Sequence, residues 1–215
     1  MLKTKVKASS ITNLTDARYF AAWEVEWLGF NLDANAEDYI NPVTAKAIKE
    51  WVDGVKIVGE FGLADANAIL DTANAMELDA IQLGPFADVA TANALAGQAL
   101  LKEFIIDQET NPNALAVVLA AFAPYCQTFI LNFDKNGISW SDLQKGTAFT
   151  VAHLQQLCEE YPILVSIKVE SSQLNNLLET IRPLGLNVIG GEEEAVGVKS
   201  FDELDDLFET IEILI

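Results

Sequence analysis

Ser9 lies near the end of the pattern Val6-Lys7-Ala8-Ser9-Ser10, a short apolar strand that runs directly into a helix. In α/β barrels the carboxyl end of a strand is where a reactive side chain stands. A serine hydroxyl has far too high a pKa to act there as a base unaided, and Lys7 is not an obvious activator. Near the other end of the chain, Gly190-Gly191 follows a strand pattern and offers two backbone amides as an anion nest. Loops after the last two strands of a barrel, with a helix N-terminus, commonly hold phosphate. Here Glu192-Glu193-Glu194 follow at once. A charge ~6 Å from a carboxylate feels roughly 1–3 kcal/mol of repulsion at effective dielectrics between 80 and 20. A phosphate dianion is therefore a poor guest if those glutamates face it, and Lys168 is the cation placed to offset part of the cost. If they point into water instead, they form a solvated turn. Asp71, Glu77 and Asp79 surround another turn, but their irregular spacing matches no metal motif, so no metal or cofactor is expected. His153, the one histidine, lies in a helical stretch and is read as a packing or surface residue. Trp23, Trp27 and Trp51 are expected to pack helices onto strands.

These residues sit in a chain of 215 residues with a net charge of −19. Such a surface repels nucleic-acid phosphates and anionic membranes, which excludes both as expected partners. No apolar run reaches the ~18–20 residues of a membrane span. The opening MLKTKVKASS has no apolar core of a signal peptide. Two cysteines, Cys126 and Cys158, suggest neither a disulfide framework nor a zinc site, so the reducing cytoplasm is the expected compartment.

The elements that must position the site alternate from end to end. Strands are expected at Lys5–Ser9, Trp27–Asn31, Val55–Gly59, Ala80–Leu83, Glu103–Ile106, Thr128–Asn132, Ile163–Lys168 and Asn187–Ile189. Amphipathic stretches separate them: Thr15–Glu24 with Asp16 and Arg18 on its polar side, Pro42–Trp51, Ala64–Ala75, Val89–Gly97, Pro112–Ala123, Phe149–Tyr161, Ser171–Pro183 and Ser200–Ile211. Asn41-Pro42 and Asn111-Pro112 each pair a capping residue with proline at the first helical position. Strict alternation implies a parallel sheet with right-handed crossovers, and eight repeats favour one closed TIM (β/α)8 barrel spanning residues 1–215. An open doubly wound sheet is the alternative, but no G-x-G-x-x-G turn supports it. The acidic Asp202–Asp206 run suits the N-terminus of the last helix. The apolar Ile211–Ile215 tail is expected to close the barrel bottom or cover a partner.

Val6-Lys7-Ala8-Ser9-Ser10-Ile11-Thr12-Asn13-Leu14-Thr15-Asp16-Ala17 resembles the opening of phosphoribosylanthranilate isomerases, usually Lys-Ile-Cys-Gly-Ile-Thr followed by Asp-Ala. The resemblance continues through Leu28-Gly29-Phe30, Tyr39-Ile40-Asn41-Pro42 (the family's Arg-Tyr-Val-Ser-Pro), Val58-Gly59-Glu60-Phe61 (Val-Gly-Val-Phe) and Ile81-Gln82-Leu83-Gly84 (Val-Gln-Leu-His-Gly). It weakens after Pro85. The resemblance implies a barrel and an Amadori rearrangement in tryptophan biosynthesis, run by a cysteine base and an aspartic acid on opposite sides of an aminoaldose phosphate.

Residue by residue, the resemblance puts Ser9 at the cysteine and Asn132 at the acid. Asp134 lies two residues on and would share the face of Asn132 if the strand continued. Asp38 falls on the substrate arginine, a charge reversal, and Gln82-Leu83 runs into Gly84 without the family's histidine. The glycine-rich turns after strands six and seven are replaced by Asn132–Gly137 and by Ser166-Ile167-Lys168-Val169-Glu170. The leading expectation is a barrel that has lost this chemistry and serves as a small-ligand-binding or interaction protein. Its pocket would be lined by Lys7, Ser9, Asp38, Gln82, Lys168, Gly190 and Gly191, and it would take a small molecule at the barrel mouth, with a protein partner or a second copy as the other option. The alternative is an active phosphoribosylanthranilate isomerase, or a related sugar-phosphate isomerase, with Asp134 as acid.

Overall fold

The computed structural model describes residues 1–146, 149–190, 193–195, 198–199 and 201–213. Eight parallel strands close a barrel in chain order: β1 (Lys5–Ser9), β2 (Trp27–Asn31), β3 (Lys56–Phe61), β4 (Ala80–Leu83), β5 (Leu100–Ile105), β6 (Thr128–Asn132), β7 (Ile163–Ser166) and β8 (Gly185–Ile189). Closure is made by β1 against β8, with Lys5 opposite Gly185 and Ser9 opposite Ile189. The crossovers are α1 (Leu14–Ala22), α2 (Pro42–Lys49), α3 (Ala66–Met76), α4 (Val89–Ala94), α5 (Pro112–Phe122), α6 (Trp140–Lys145), α7 (Val151–Glu160) and α8 (Ser171–Ile181), and α9 (Asp202–Ile211) follows the last strand. The TIM (β/α)8 barrel expected from the alternation is the fold observed. Among the described residues no helix is long and apolar enough to cross a membrane.

Local chemistry sets the helix starts. The side chain of Asn41 accepts from the Val43 amide, and that of Asn111 from the amides of Asn113 and Ala114, each beside a proline at the first turn. The connection between β6 and β7 is richer than a single helix over Phe149–Tyr161. It contains a 3-10 turn, Asp134–Asn136, and the extra helix α6. Ser139 and Asp142 form a capping box at the start of α6, and Trp140 buries its ring beneath it. The Trp140 amide donates to the Lys168 carbonyl at 2.9 Å. That pairing draws the chain out of the barrel, so β7 ends at Ser166 rather than running to Lys168. After β8, a small antiparallel pair, β9 (Glu193–Ala195) and β10 (Val198–Lys199), stands where a loop was expected.

The terminal segments meet across the barrel bottom. Leu2 bridges Glu212, the Lys3 amide donates to Ile211 O at 2.8 Å, and the Ile213 amide donates to Met1 O at 2.9 Å. Two side-chain expectations need correction. Asp16 is only 1% exposed, because the start of α1 turns it towards the barrel while Arg18 faces solvent. Of the three tryptophans, Trp23 stacks on Phe208 and joins α1 to α9, but Trp27 enters the barrel lumen and Trp51 is 66% exposed beneath Arg18.

Side-chain alternation builds the lumen in layers. Trp27, Val58, Ala80, Leu101, Ile130 and Leu164 pack together as an apolar floor. Two residues further along the same six strands stand Gly29, Glu60, Gln82, Glu103, Asn132 and Ser166. The polar residues of the site are therefore the second storey of the lumen, above its apolar floor.

Lys102 lies on the outer face of β5, between the barrel wall and α5. It is 1% exposed, its ammonium donates to the Gly84 carbonyl, and the rings of Phe104 and Phe122 lie 5.1 and 5.2 Å from Nζ. Burial pushes its pKa from 10.5 down to about 8. Below pH 8 the folded chain bears the full cost of that buried charge. Between about 8 and 10.5 the folded state gives up the proton that the unfolded state still holds, so stability rises with pH. Lys102→Met is expected to raise the unfolding free energy at neutral pH by about 1–3 kcal/mol. Urea titrations should show that gain shrinking as the pH climbs from about 8 to 10.5; a gap that stays constant contradicts the assignment.

Candidate active site

The lumen above the apolar floor holds two polar clusters. The first centres on Lys7, which is fully buried. Its ammonium is ion-paired with Glu60 and donates to Ser9 Oγ and, at 3.4 Å, to Asn187 Oδ1. Ser9 Oγ donates to Asn187 Oδ1 at 2.7 Å. The second carboxylate oxygen of Glu60 accepts from the Ser10 amide at 3.2 Å. Ser10 stands at φ 57°, a left-handed backbone position where the family's motif has glycine; that turn aims its amide at Glu60. Gly29 supplies the space for the pair. A Cβ at that position would lie 2.0 Å from Glu60 Oε1 and 2.8 Å from Lys7 Nζ.

The second cluster centres on Glu103, which is half-buried. Asn132 Nδ2 donates to Oε1 at 2.7 Å and Gln82 Nε2 to Oε2 at 3.3 Å. Asn132 Oδ1 in turn accepts the Lys135 amide at 3.0 Å. At the rim, Asn31 Nδ2 donates to Asp38 Oδ1 at 2.7 Å, so the carboxylate of Asp38 is tied to the end of β2.

The residues singled out in the sequence divide accordingly. Lys7, Ser9, Gln82 and Asn132 share the lumen, and Asp38 hangs on its edge. Asp134 does not join them. Phe133 takes helical angles, φ −85° and ψ −30°, which ends the alternation, and Asp134 opens an exposed 3-10 turn. Lys168 is exposed, held through its backbone by α6. Gly190 follows β8 half-buried, while Gly191 and Glu192 lie outside the described residues. Burial pushes the thiols up, Cys126 to about 11 and Cys158 to about 12, so neither is a ready nucleophile. No cluster of three or more metal-ligating side chains occurs among the described residues.

Glu60, Glu103 and Asn187 join the candidate site without having been singled out in the sequence. A signal existed for the two glutamates: each lies two residues along its strand from a residue of the lumen floor, Val58 or Leu101. Glu60 also stands where the motif carries valine. What the sequence lacked was the pairing, since Lys7 and Glu60 are 53 residues apart and meet only because β1 and β3 flank Gly29.

Losing one partner of a buried pair of this kind destabilises the protein more than losing both. Glu60→Val is expected to cost about 3–5 kcal/mol of stability, because it strands the Lys7 ammonium. Adding Lys7→Met should recover most of that loss. Chemical denaturation of the single and double variants checks it; a double variant as unstable as Glu60→Val contradicts the ion-pair account.

This arrangement can be set beside known proteins. The sequence profile of the family described as N-(5'phosphoribosyl)anthranilate (PRA) isomerase matches residues 6–210. The chain is 22% identical over 206 residues to N-(5'-phosphoribosyl)anthranilate isomerase of Maridesulfovibrio salexigens, covering 96% of this chain and 97% of that protein. It is 27% identical over 220 residues to the enzyme of the same name from Chlorobium phaeobacteroides, covering 97% and 96%. In structure it is similar to phosphoribosyl anthranilate isomerase from Thermotoga maritima, with TM-score 0.78, 21% identity and coverage of 97% and 98%. The corresponding values for the protein from Thermus thermophilus are TM-score 0.75, 26% identity, 96% and 97%. The match over nearly the whole chain, in sequence and in barrel order, means that this protein belongs to the phosphoribosylanthranilate isomerase family of tryptophan biosynthesis.

Proposed function

We propose that this barrel binds a small polar ligand in its lumen and no longer performs the rearrangement for which its family is named. The observation that carries the reading is the state of the two acid–base positions. The family's chemistry needs one group to take a proton from carbon and another to protonate the ring oxygen. Ser9 is engaged by Asn187 and by an ammonium that Glu60 stabilises, so no neighbouring base removes its proton. The amide of Asn132 has no ionisable proton to give. Asp38 adds a carboxylate at the rim where the family's motif carries a cation. Two free cysteines fit residence in a reducing cytoplasm.

The direct test is turnover of phosphoribosylanthranilate, followed by the loss of its anthranilate fluorescence. The expected result is no rate above the spontaneous reaction, for the native chain and for Ser9→Cys. Turnover by the native chain contradicts the reading. If Asp134→Asn then lowered it strongly, the acid would be Asp134; if Glu103→Gln did, the acid would be Glu103.

A second reading, an interaction subunit, is favoured by one surface. No charged residue occurs from Thr110 to Phe133, and within that stretch α5 exposes Val117 at 71% and Val118 at 41%. A helix that is apolar on its outer face wants a cover. In a chain of net charge −19, an uncharged face is where two copies can approach without mutual repulsion, so the partner it suits is a second copy. Sedimentation should then give a dimer that Val117→Glu converts to a monomer without unfolding. A native monomer at all concentrations removes this reading.

A further inference from the structure

We infer that the Glu103 end of the lumen is a receptor for an amine-bearing polyol, a ligand that brings hydrogen-bond donors and a positive charge. The inference rests on the ligand-binding reading above and names the class of ligand.

A carboxylate has about four acceptor positions. Two on Glu103 are taken, by Asn132 and Gln82. Among the described residues no cation pairs with it. Lys7 cannot serve, because its ammonium is held by Glu60, Ser9 and Asn187. Lys102 cannot serve either; it lies on the opposite face of β5, bonded to the Gly84 carbonyl.

Gln82 adds an independent observation. Its side chain faces the lumen and is 5% exposed, and its Oε1 has no hydrogen-bond partner. The amide cannot simply be turned round to cure this. Its Nε2 is the atom that reaches the Glu103 carboxylate, and exchanging the two would set oxygen against oxygen. A buried carbonyl left unpaired costs about 1–3 kcal/mol. The lumen thus offers an uncompensated negative charge beside an unfilled acceptor. An ammonium group answers both at once, donating to Glu103 and Gln82 together.

The surrounding side chains decide what the amine is attached to. Asn31, Ser166 and Asn187 belong to the same lumen wall, and Asp38 stands at its edge. Amides and hydroxyls pair with ligand hydroxyls. A carboxylate at the rim opposes a phosphate.

Calorimetric titration of the full chain with glucosamine, glucose and glucose 6-phosphate tests this. Glucosamine is expected to bind saturably and about tenfold or more tighter than glucose, matching one charge-assisted hydrogen bond. Glucose 6-phosphate should give no saturable heat. Glu103→Gln keeps the shape of the side chain and should abolish the preference for glucosamine. Circular dichroism reports whether that variant folds; if it does not, the native chain's ratio of glucosamine to glucose affinity decides. Equal affinities, no saturable binding of glucosamine, tighter binding of the phosphate, or an unchanged preference in a folded Glu103→Gln variant would each overturn the inference. The outcome is separable from the turnover assay: turnover removes the underlying reading, whereas a failed glucosamine titration without turnover removes only this one.

Discussion

A closed parallel barrel sends every second side chain of each strand into a lumen that must be filled, and a charge placed there needs a counter-charge on another strand. The Lys7–Glu60 pair is that constraint in this protein. It is buried, it sits directly on the apolar floor, and it fits only because Gly29 leaves the space of a side chain free. From it the rest of the site follows. Ser9 and Asn187 are drawn onto the ammonium, and the Ser10 amide is drawn onto the carboxylate. The cation closest to the family's base position is thereby neutralised inside the protein and is not available to an anionic ligand.

Opposite this neutral half stands a half that is not neutral. Glu103 is held in place by two amides, which fix its position without balancing its charge. Asp38, tied to Asn31, repeats the sign at the rim. In this member of the family two carboxylates, Glu103 and Asp38, stand in and at the edge of the lumen with no cation paired to either among the described residues. A fold does not by itself set the chemistry, because the same strands in the same order can present different groups to the space they enclose.

Much of this was legible in the sequence. The spans Lys5–Ser9, Trp27–Asn31, Ala80–Leu83 and Thr128–Asn132 read directly as strands, because a short β-rich run bounded by turn residues is a local signal. Asn41 and Asn111 were readable as caps for the same reason, their partners being two or three residues away. What was not legible depends on neighbours distant in the chain. Asp16 looks like a surface residue of an amphipathic helix, and only the packing of α1 on the barrel buries it. Trp27 looks like a helix-packing residue, and only closure of the sheet turns it into the lumen floor, with Lys5 and Lys56 over its ring. Asp134 shares the strand period with Asn132, but the helical angles at Phe133 break it. Glu103 carries no motif at all; its role comes from standing between Gln82 and Asn132 on adjacent strands.

The sign of the lumen decides which ligands the barrel can hold, and phosphorus NMR of ribose 5-phosphate titrated with the protein measures it most directly. An acidic lumen whose inner cation is already paired predicts a resonance that neither shifts nor broadens in a saturable way. A saturable shift would mean that the barrel holds a phosphate dianion after all, and would contradict the claim.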